Sequence, residues 1–229
     1  MNIGRTLVSG GATGLGAAVC EAVAAAGGTP CVLDLNPPTS AAIPFMKADV
    51  SDTAQVTDAV HRLAREVGGL DAVVTTAGID HPGKLADVDA SVWEQVVKVN
   101  LLGTAAVVRA ALPFLRDSDS PHVVTVASTL GLRALSDATA YCAAKFGVVG
   151  FTRALATELQ GQVGVTMLVP GGMRTGFFDG RDDTYKPGPD AHLNDPRHVA
   201  DAVVFALGQP AGVAVRELVV CPDVEPSWP

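Results

Sequence analysis

The chain has 229 residues, 48% hydrophobic and 17% charged, with a formal net charge of −8. That length suits one α/β domain with a sizeable core, and the composition excludes a disordered chain. An acidic chain without a basic run is not expected to bind a nucleic-acid backbone.

The elements alternate. Thr6–Ser9 reads as a short strand, and the Ala-rich segment 15–26 as a helix stopped by Gly27-Gly28. Strand candidates follow at 30–35 and 45–50, then a helix at about 52–67 and a buried strand at 70–75. A long helix is expected over 91–115, bent or stopped near Pro113. Next come a strand at 122–127, a helix at 137–160 and an apolar strand at 163–169. A polar, Gly- and Pro-rich loop spans 176–195 and reads as a cover over a substrate site. Pro196 opens a helix to about Leu207, and 216–220 is a last strand. Apolar strands alternating with helices predict a single domain over 1–229. Its fold is a Rossmann-like, doubly wound parallel sheet of about seven strands with helices on both faces.

No charged-then-apolar leader and no long uninterrupted apolar stretch stand out, so no signal peptide and no membrane span are expected, and a cytoplasmic location is. Cys20, Cys31, Cys142 and Cys221 lack C-x-x-C spacing and read as reduced thiols. The five histidines form no H-E-x-x-H pattern, and no metal is expected.

The first strand runs into Ser9-Gly10-Gly11-Ala12-Thr13-Gly14-Leu15-Gly16 and then a helix. A helix start offers unpaired N–H groups, and glycines let the backbone approach a pyrophosphate. A plain strand–helix turn would also use glycine, so the motif gains weight from Asp34, 24 positions after Gly10 at the end of the second strand. An acid there accepts the ribose hydroxyls of a dinucleotide and repels a 2′-phosphate, which favours NAD over NADP.

Tyr141 and Lys145 stand four apart on an expected helix, about 5–6 Å between Cβ atoms. A phenol with a pKa near 10 needs a neighbouring ammonium to act as a base at neutral pH. Ser128 ends an apolar strand 13 residues before Tyr141, at the sheet edge where α/β folds bind ligands.

These residues resemble, in order and spacing, the short-chain dehydrogenases/reductases: Ser9-Gly10-x-x-x-Gly14-x-Gly16, Asp34, Asp49-Val50, Ala77-Gly78, Asn100, Ser128, Tyr141-x-x-x-Lys145 and Pro170-Gly171-x-x-x-Thr175. The resemblance implies that Gly10, Thr13, Gly14, Leu15 and Gly16 hold the pyrophosphate and that Asp34 holds the adenosine ribose. Asp49 and Val50 would flank the adenine, and Ala77 and Gly78 would line the cleft. Pro170, Gly171, Met173 and Thr175 would hold the nicotinamide end. Tyr141 would be the general acid/base, and Lys145 would bind the nicotinamide ribose and lower the Tyr141 pKa. Ser128 would bond the substrate oxygen, and Asn100 would hold a water linking Lys145 to solvent. NAD is the implied cofactor, a small alcohol or ketone the substrate, and a homo-oligomer, dimer or tetramer, the assembly.

Three readings compete with an alcohol dehydrogenase or ketoreductase. A 3-oxoacyl-thioester reductase usually prefers NADPH, against Asp34. A non-catalytic dinucleotide-binding regulator predicts a broken Ser-Tyr-Lys-Asn set, which is intact here. A sugar-nucleotide epimerase needs a larger C-terminal domain. Thr75-Thr76 replaces the family's paired Asn, and the tail Cys221–Pro229 lacks its usual ending. His81 reads as a loop residue, Phe177 and Phe178 as loop anchors or pocket covers, the 179–183 cluster as solvated, Trp93 as packing and Trp228 as a subunit contact.

Overall fold

The computed structural model describes residues 3–228; residues 1, 2 and 229, the outermost of the expected domain, lie outside them. The strands are β1 (Arg5–Ser9), β2 (Thr29–Asp34), β3 (Phe45–Lys47), β4 (Ala72–Thr75), β5 (His122–Val126), β6 (Gly164–Pro170) and β7 (Glu217–Val220). They form one parallel sheet in the order β3-β2-β1-β4-β5-β6-β7. The helices are α1 (Gly14–Ala25), α2 (Thr53–Glu66), α3 (Ala90–Val97), α4 (Thr104–Leu115), α5 (Thr139–Glu158) and α6 (Pro196–Leu207). This is the doubly wound, Rossmann-like architecture expected.

Strand alternation feeds two cores. Leu7, Leu33, Val73 and Val123 point to one face and pack with residues of α2, α4 and α5. Val8, Val32, Val74 and Val124 point to the other and pack with α1 and α6. All eight side chains are buried, because a parallel sheet covered on both faces leaves no wet side. Strand order reverses between β1 and β4, and a crevice opens there above the carboxyl ends of the strands.

The expected helix over 91–115 is two helices joined by a π-helical segment, Lys98–Gly103. Asn100, inside that segment, donates Nδ2 to the Val96 carbonyl (2.8 Å) and to Ile79 O (2.7 Å). The extra residue of a π-turn is a frequent mark of functional sites. Pro113 lies within α4 and does not end it; the helix runs on to Leu115. By length and composition the run Ala90–Leu115 is apolar enough to cross a membrane, a feature that a search for uninterrupted apolar residues misses. Of its most apolar window, 56% is buried inside the domain, as in a core helix.

Two boundaries also differ. The 45–50 strand ends at Lys47, and the chain then turns so that Asp49 can accept from Ser51 N (2.8 Å) and Oγ (2.7 Å). The helix expected from Asp137 starts at Thr139, because Asp137 sits at φ +61, outside the helical region.

Candidate active site

A cleft of about 1130 Å³ opens above the β1/β4 switch point. Every residue that the sequence motifs assigned to cofactor or chemistry lines it, except Asn100.

The cradle is shaped by what its glycines leave out. Gly10, at φ +75, lies so close to the chain beyond β4 that a Cβ would stand 2.6 Å from the Ala77 backbone. A Cβ on Gly16 would run into the Gly10 carbonyl oxygen and lie 2.5 Å from Thr76 Oγ1. The first turn of α1 can therefore settle directly onto the turn that precedes it. Gly14, at φ +55, faces the Thr175 side chain, which joins the two ends of the cleft. Thr76 stands where the family pattern has asparagine, and its role is now visible: Oγ1 donates to Ser9 O (2.6 Å) and reaches Gly10 O (3.3 Å). It braces the cradle. Thr75 Oγ1, by contrast, is buried without a partner.

Asp34, at the end of β2, holds its carboxylate still with two backbone donors. Oδ2 accepts from Ala12 N (3.0 Å) and Oδ1 from Asn36 N (3.1 Å). The acid thus sits beside the glycine turn, as an adenosine ribose would require. Glycine space, a turn with positive φ and a fixed acid together fit a dinucleotide.

At the other end α5 presents Tyr141 and Lys145 on one face, with the ammonium 5.5 Å from the ring centroid. Lys145 is buried and donates Nζ to Val126 O at 2.9 Å. Gly131 lets the segment after β5 lie on the backbone of α5; a Cβ there would be 2.8 Å from Lys145 O. That contact helps to bring Ser128 to Tyr141. The Ser128 Oγ accepts from Leu130 N (3.1 Å).

The electrostatics depart from the sequence expectation. Burial pushes the Tyr141 phenol up, well above its ordinary value. The Ser128 hydroxyl opposes that, Asp80 adds to it, and Arg181 opposes it. Lys145, expected to lower the phenol, is itself brought down to about 8 by its own burial. Desolvation outweighs the pair attraction here, and the phenol is held in its proton-donating form.

Asn100 does not line the cleft but touches its floor. Its Oδ1 is buried without a partner, and a Cβ on Gly78 would lie 2.7 Å from that oxygen and 3.9 Å from Lys145 Nζ. Asn100 Oδ1 and Lys145 Nζ therefore border one small polar space.

The loop after β6 holds two 3-10 turns, Gly176–Phe178 and Asp183–Tyr185. Phe177 packs against Tyr141, with ring centroids 5.7 Å apart. Arg181, read from the sequence as part of a solvated cluster, turns inward instead. Its guanidinium lies 4.8 Å and 4.7 Å from the Phe177 and Phe178 ring centroids and pairs with Asp80 at 3.1 Å. Neither Asp80 nor Arg181 was legible as a site residue; a cation shortly after two aromatics was the available signal. The C-terminal tail was also missed: Glu225, Pro226 and Ser227 line the cleft. Trp93 donates Nε1 to Thr139 Oγ1 (3.1 Å) at the start of α5.

Comparison with known proteins agrees with this geometry. The family model described as short chain dehydrogenase matches residues 5–186. An uncharacterized oxidoreductase of Staphylococcus aureus (strain MW2) is 33% identical over 181 residues, 79% of this chain and 76% of the relative. One of Staphylococcus epidermidis is 28% identical over 229 residues, 94% of this chain and 96% of the relative. The ligand-free aldohexose dehydrogenase of Thermoplasma acidophilum has the same fold, with TM-score 0.85 and 24% identity over 95% of this chain and 92% of that one. So does the alcohol dehydrogenase of Thermococcus sibiricus, solved with 5-hydroxy-NADP, with TM-score 0.83 and 22% identity over 95% and 96% of the two chains. The chain belongs to the short-chain dehydrogenase family of oxidoreductases.

Proposed function

We propose that this protein is an NAD(H)-dependent oxidoreductase that interconverts a secondary alcohol and a ketone, and that it works as a cytoplasmic homo-oligomer. The observation that carries the reading is the meeting of Ser128, Tyr141 and Lys145 in one cleft with the glycine cradle and Asp34.

A bound nicotinamide would supply the hydride chemistry. The chain's own residues do the rest. Gly10, Gly14, Gly16 and the first turn of α1 receive the pyrophosphate, and Asp34 takes the adenosine ribose. Asp49 and Val50 flank the adenine, and the Pro170–Thr175 turn seats the nicotinamide end. Lys145 holds the nicotinamide ribose. Tyr141 stands protonated and gives its proton to a ketone oxygen; in the reverse direction the phenolate form takes the hydroxyl proton. Ser128 aims a second donor at the oxygen on which charge develops. A water held between Asn100 Oδ1 and Lys145 Nζ would pass the proton onward.

Asp34 supports NAD over NADP, since a fixed carboxylate repels a 2′-phosphate. Phe177 and Phe178 support a compact, partly apolar substrate. Exposed Leu102 and Phe146, on adjoining helical faces, support a partner copy.

A panel of secondary alcohols and ketones, followed at the nicotinamide absorbance with NAD and NADP compared, tests the reading. Tyr141→Phe should lower turnover by about 10²–10⁴ while NADH binding persists. Undiminished turnover in that variant contradicts the assigned chemistry, and a strong NADP preference contradicts the role of Asp34.

A further inference from the structure

The tail beyond β7 lines the cleft and ties the segment after β5 to the turn after β6. Glu225 Oε2 accepts from Gly172 N at 3.0 Å, in the turn after β6. Its other oxygen, Oε1, accepts from Ser227 N (3.0 Å) and Ser227 Oγ (2.6 Å). Ser227 Oγ also pairs with Thr129 Oγ1 at 2.7 Å, and Thr129 is buried and adjoins Ser128. Arg133 closes the fastening by donating Nη1 to the carbonyls of Pro226 (3.0 Å) and Trp228 (3.2 Å).

The placement matters because β5 and β6 are no longer paired at this point, although β6 is still held by β7, with Gly171 N donating to Val220 O (3.0 Å). The β5–β6 ladder ends with Val126 opposite Leu168, followed by the bond from Ala127 N to Leu168 O (2.8 Å). Ser128 and Gly171–Gly172 stand beyond it. The Glu225–Ser227–Thr129 chain of hydrogen bonds spans that gap. Gly171 is cut to fit the same carboxylate: any Cβ there would collide with Glu225 Oε2 and lie 3.2 Å from Pro222 Cδ.

We infer that residues 225–228 are a positioning strap, with Glu225 as its central residue, that sets the nicotinamide seat at Gly171–Gly172 relative to Ser128. The inference rests on the dinucleotide reading above. The strap acts on one end of the cofactor only. The cradle at Gly10–Gly16 and the acid at Asp34 lie on β1 and β2, at the far end of the cleft, and the tail makes none of the hydrogen bonds that shape them.

Binding of NADH and of ADP-ribose, which lacks the nicotinamide, separates this role from general support of the fold. Both are titrated calorimetrically against the full chain, Glu225→Ala, Ser227→Ala and a chain ending at Val224. Glu225→Ala removes a hydrogen bond to a charged group, so its NADH affinity should fall about tenfold, while ADP-ribose affinity stays within about twofold. Ser227→Ala should fall in the same sense and less. If the shortened chain does not fold, the two point variants decide. Equal losses for the two ligands, or no loss for either, overturn the strap. If the unaltered chain binds neither ligand, the dinucleotide reading itself fails and the strap fails with it; if it binds both and the variants match it, only the strap fails.

Discussion

Arg181 and Asp80 meet at 3.1 Å with only 11% and 5% of their side chains exposed, which pins the loop after β6 to the segment after β4. The pair is incompletely bonded: Asp80 Oδ1 and Arg181 Nε are buried without partners. Removing one member strands the other charge, at on the order of 3–5 kcal/mol if it stays buried. Asp80→Ala and Arg181→Met should each destabilise the fold or release the loop to proteolysis around 176–186. The double variant should be less impaired than the sum of the two. Strictly additive losses in thermal unfolding would show that the pair is not coupled.

Lys145 is brought down to about 8 by burial, so its charge is lost as pH rises through about 8. Tyr141 is pushed the other way and keeps its proton across neutral pH. Ketone reduction needs both protons in place and should therefore be flat through neutrality and fall above about pH 8. Lys145→Arg keeps the charge at alkaline pH and should remove the fall in whatever activity remains. A rate that rises steadily through pH 8 to 9 in the unaltered protein would contradict the assignment.

Two glycines predict opposite outcomes for the same substitution. Gly16→Ala drives a methyl into the Gly10 carbonyl and the Thr76 hydroxyl. It should cost about 1–3 kcal/mol and abolish dinucleotide binding. Gly150, in the interior of α5, meets nothing within 4 Å. Gly150→Ala should stabilise by about 0.5–1 kcal/mol, read as a higher Tm with unchanged NADH affinity. The comparison fails if both variants bind NADH normally.

His122 is buried at the start of β5 and held down to about 4 by desolvation, with Arg216 contributing. Thr166 Oγ1 donates to Val215 O (2.6 Å), so it accepts from His122 Nε2–H at 2.8 Å. The imidazole is therefore neutral in the fold, with its hydrogen on Nε2. The unfolded chain takes up a proton near pH 6.5 and the folded chain only near 4. The neutral ring's stability contribution is full above 6.5 and lost as pH falls toward 4, amounting to about 3 kcal/mol. His122→Gln should flatten that part of the pH–stability curve; an unchanged acid limb would assign the loss to other groups.

Much of this protein was legible in its residues. The alternation of apolar strands with helices implied the seven-stranded parallel sheet, because period and punctuation are local properties. The Gly-rich turn, Asp34 and the Tyr141/Lys145 spacing pointed to one cleft because a helix repeat and a strand end are short-range facts. The π-turn at Asn100 was not legible: an extra residue in a helical ring leaves no mark on the hydrophobic pattern.

What only the tertiary structure decided depends on which distant residues become neighbours. Arg181 looked solvated among its charged sequence neighbours, yet it turns inward to an acid roughly a hundred positions away. Thr76 replaces asparagine and still braces the cradle, because what counts is the reach of one hydroxyl to Ser9 and Gly10. Burial raises the proton affinity of Tyr141, since desolvation is a property of the packed cleft and of no residue in it. The tail, without a motif, lines that cleft because the end of β7 delivers it beside Gly172 and Thr129. Sequence carried the periodic and local terms; burial, charge pairing and long-range contact arose only once the chain had folded.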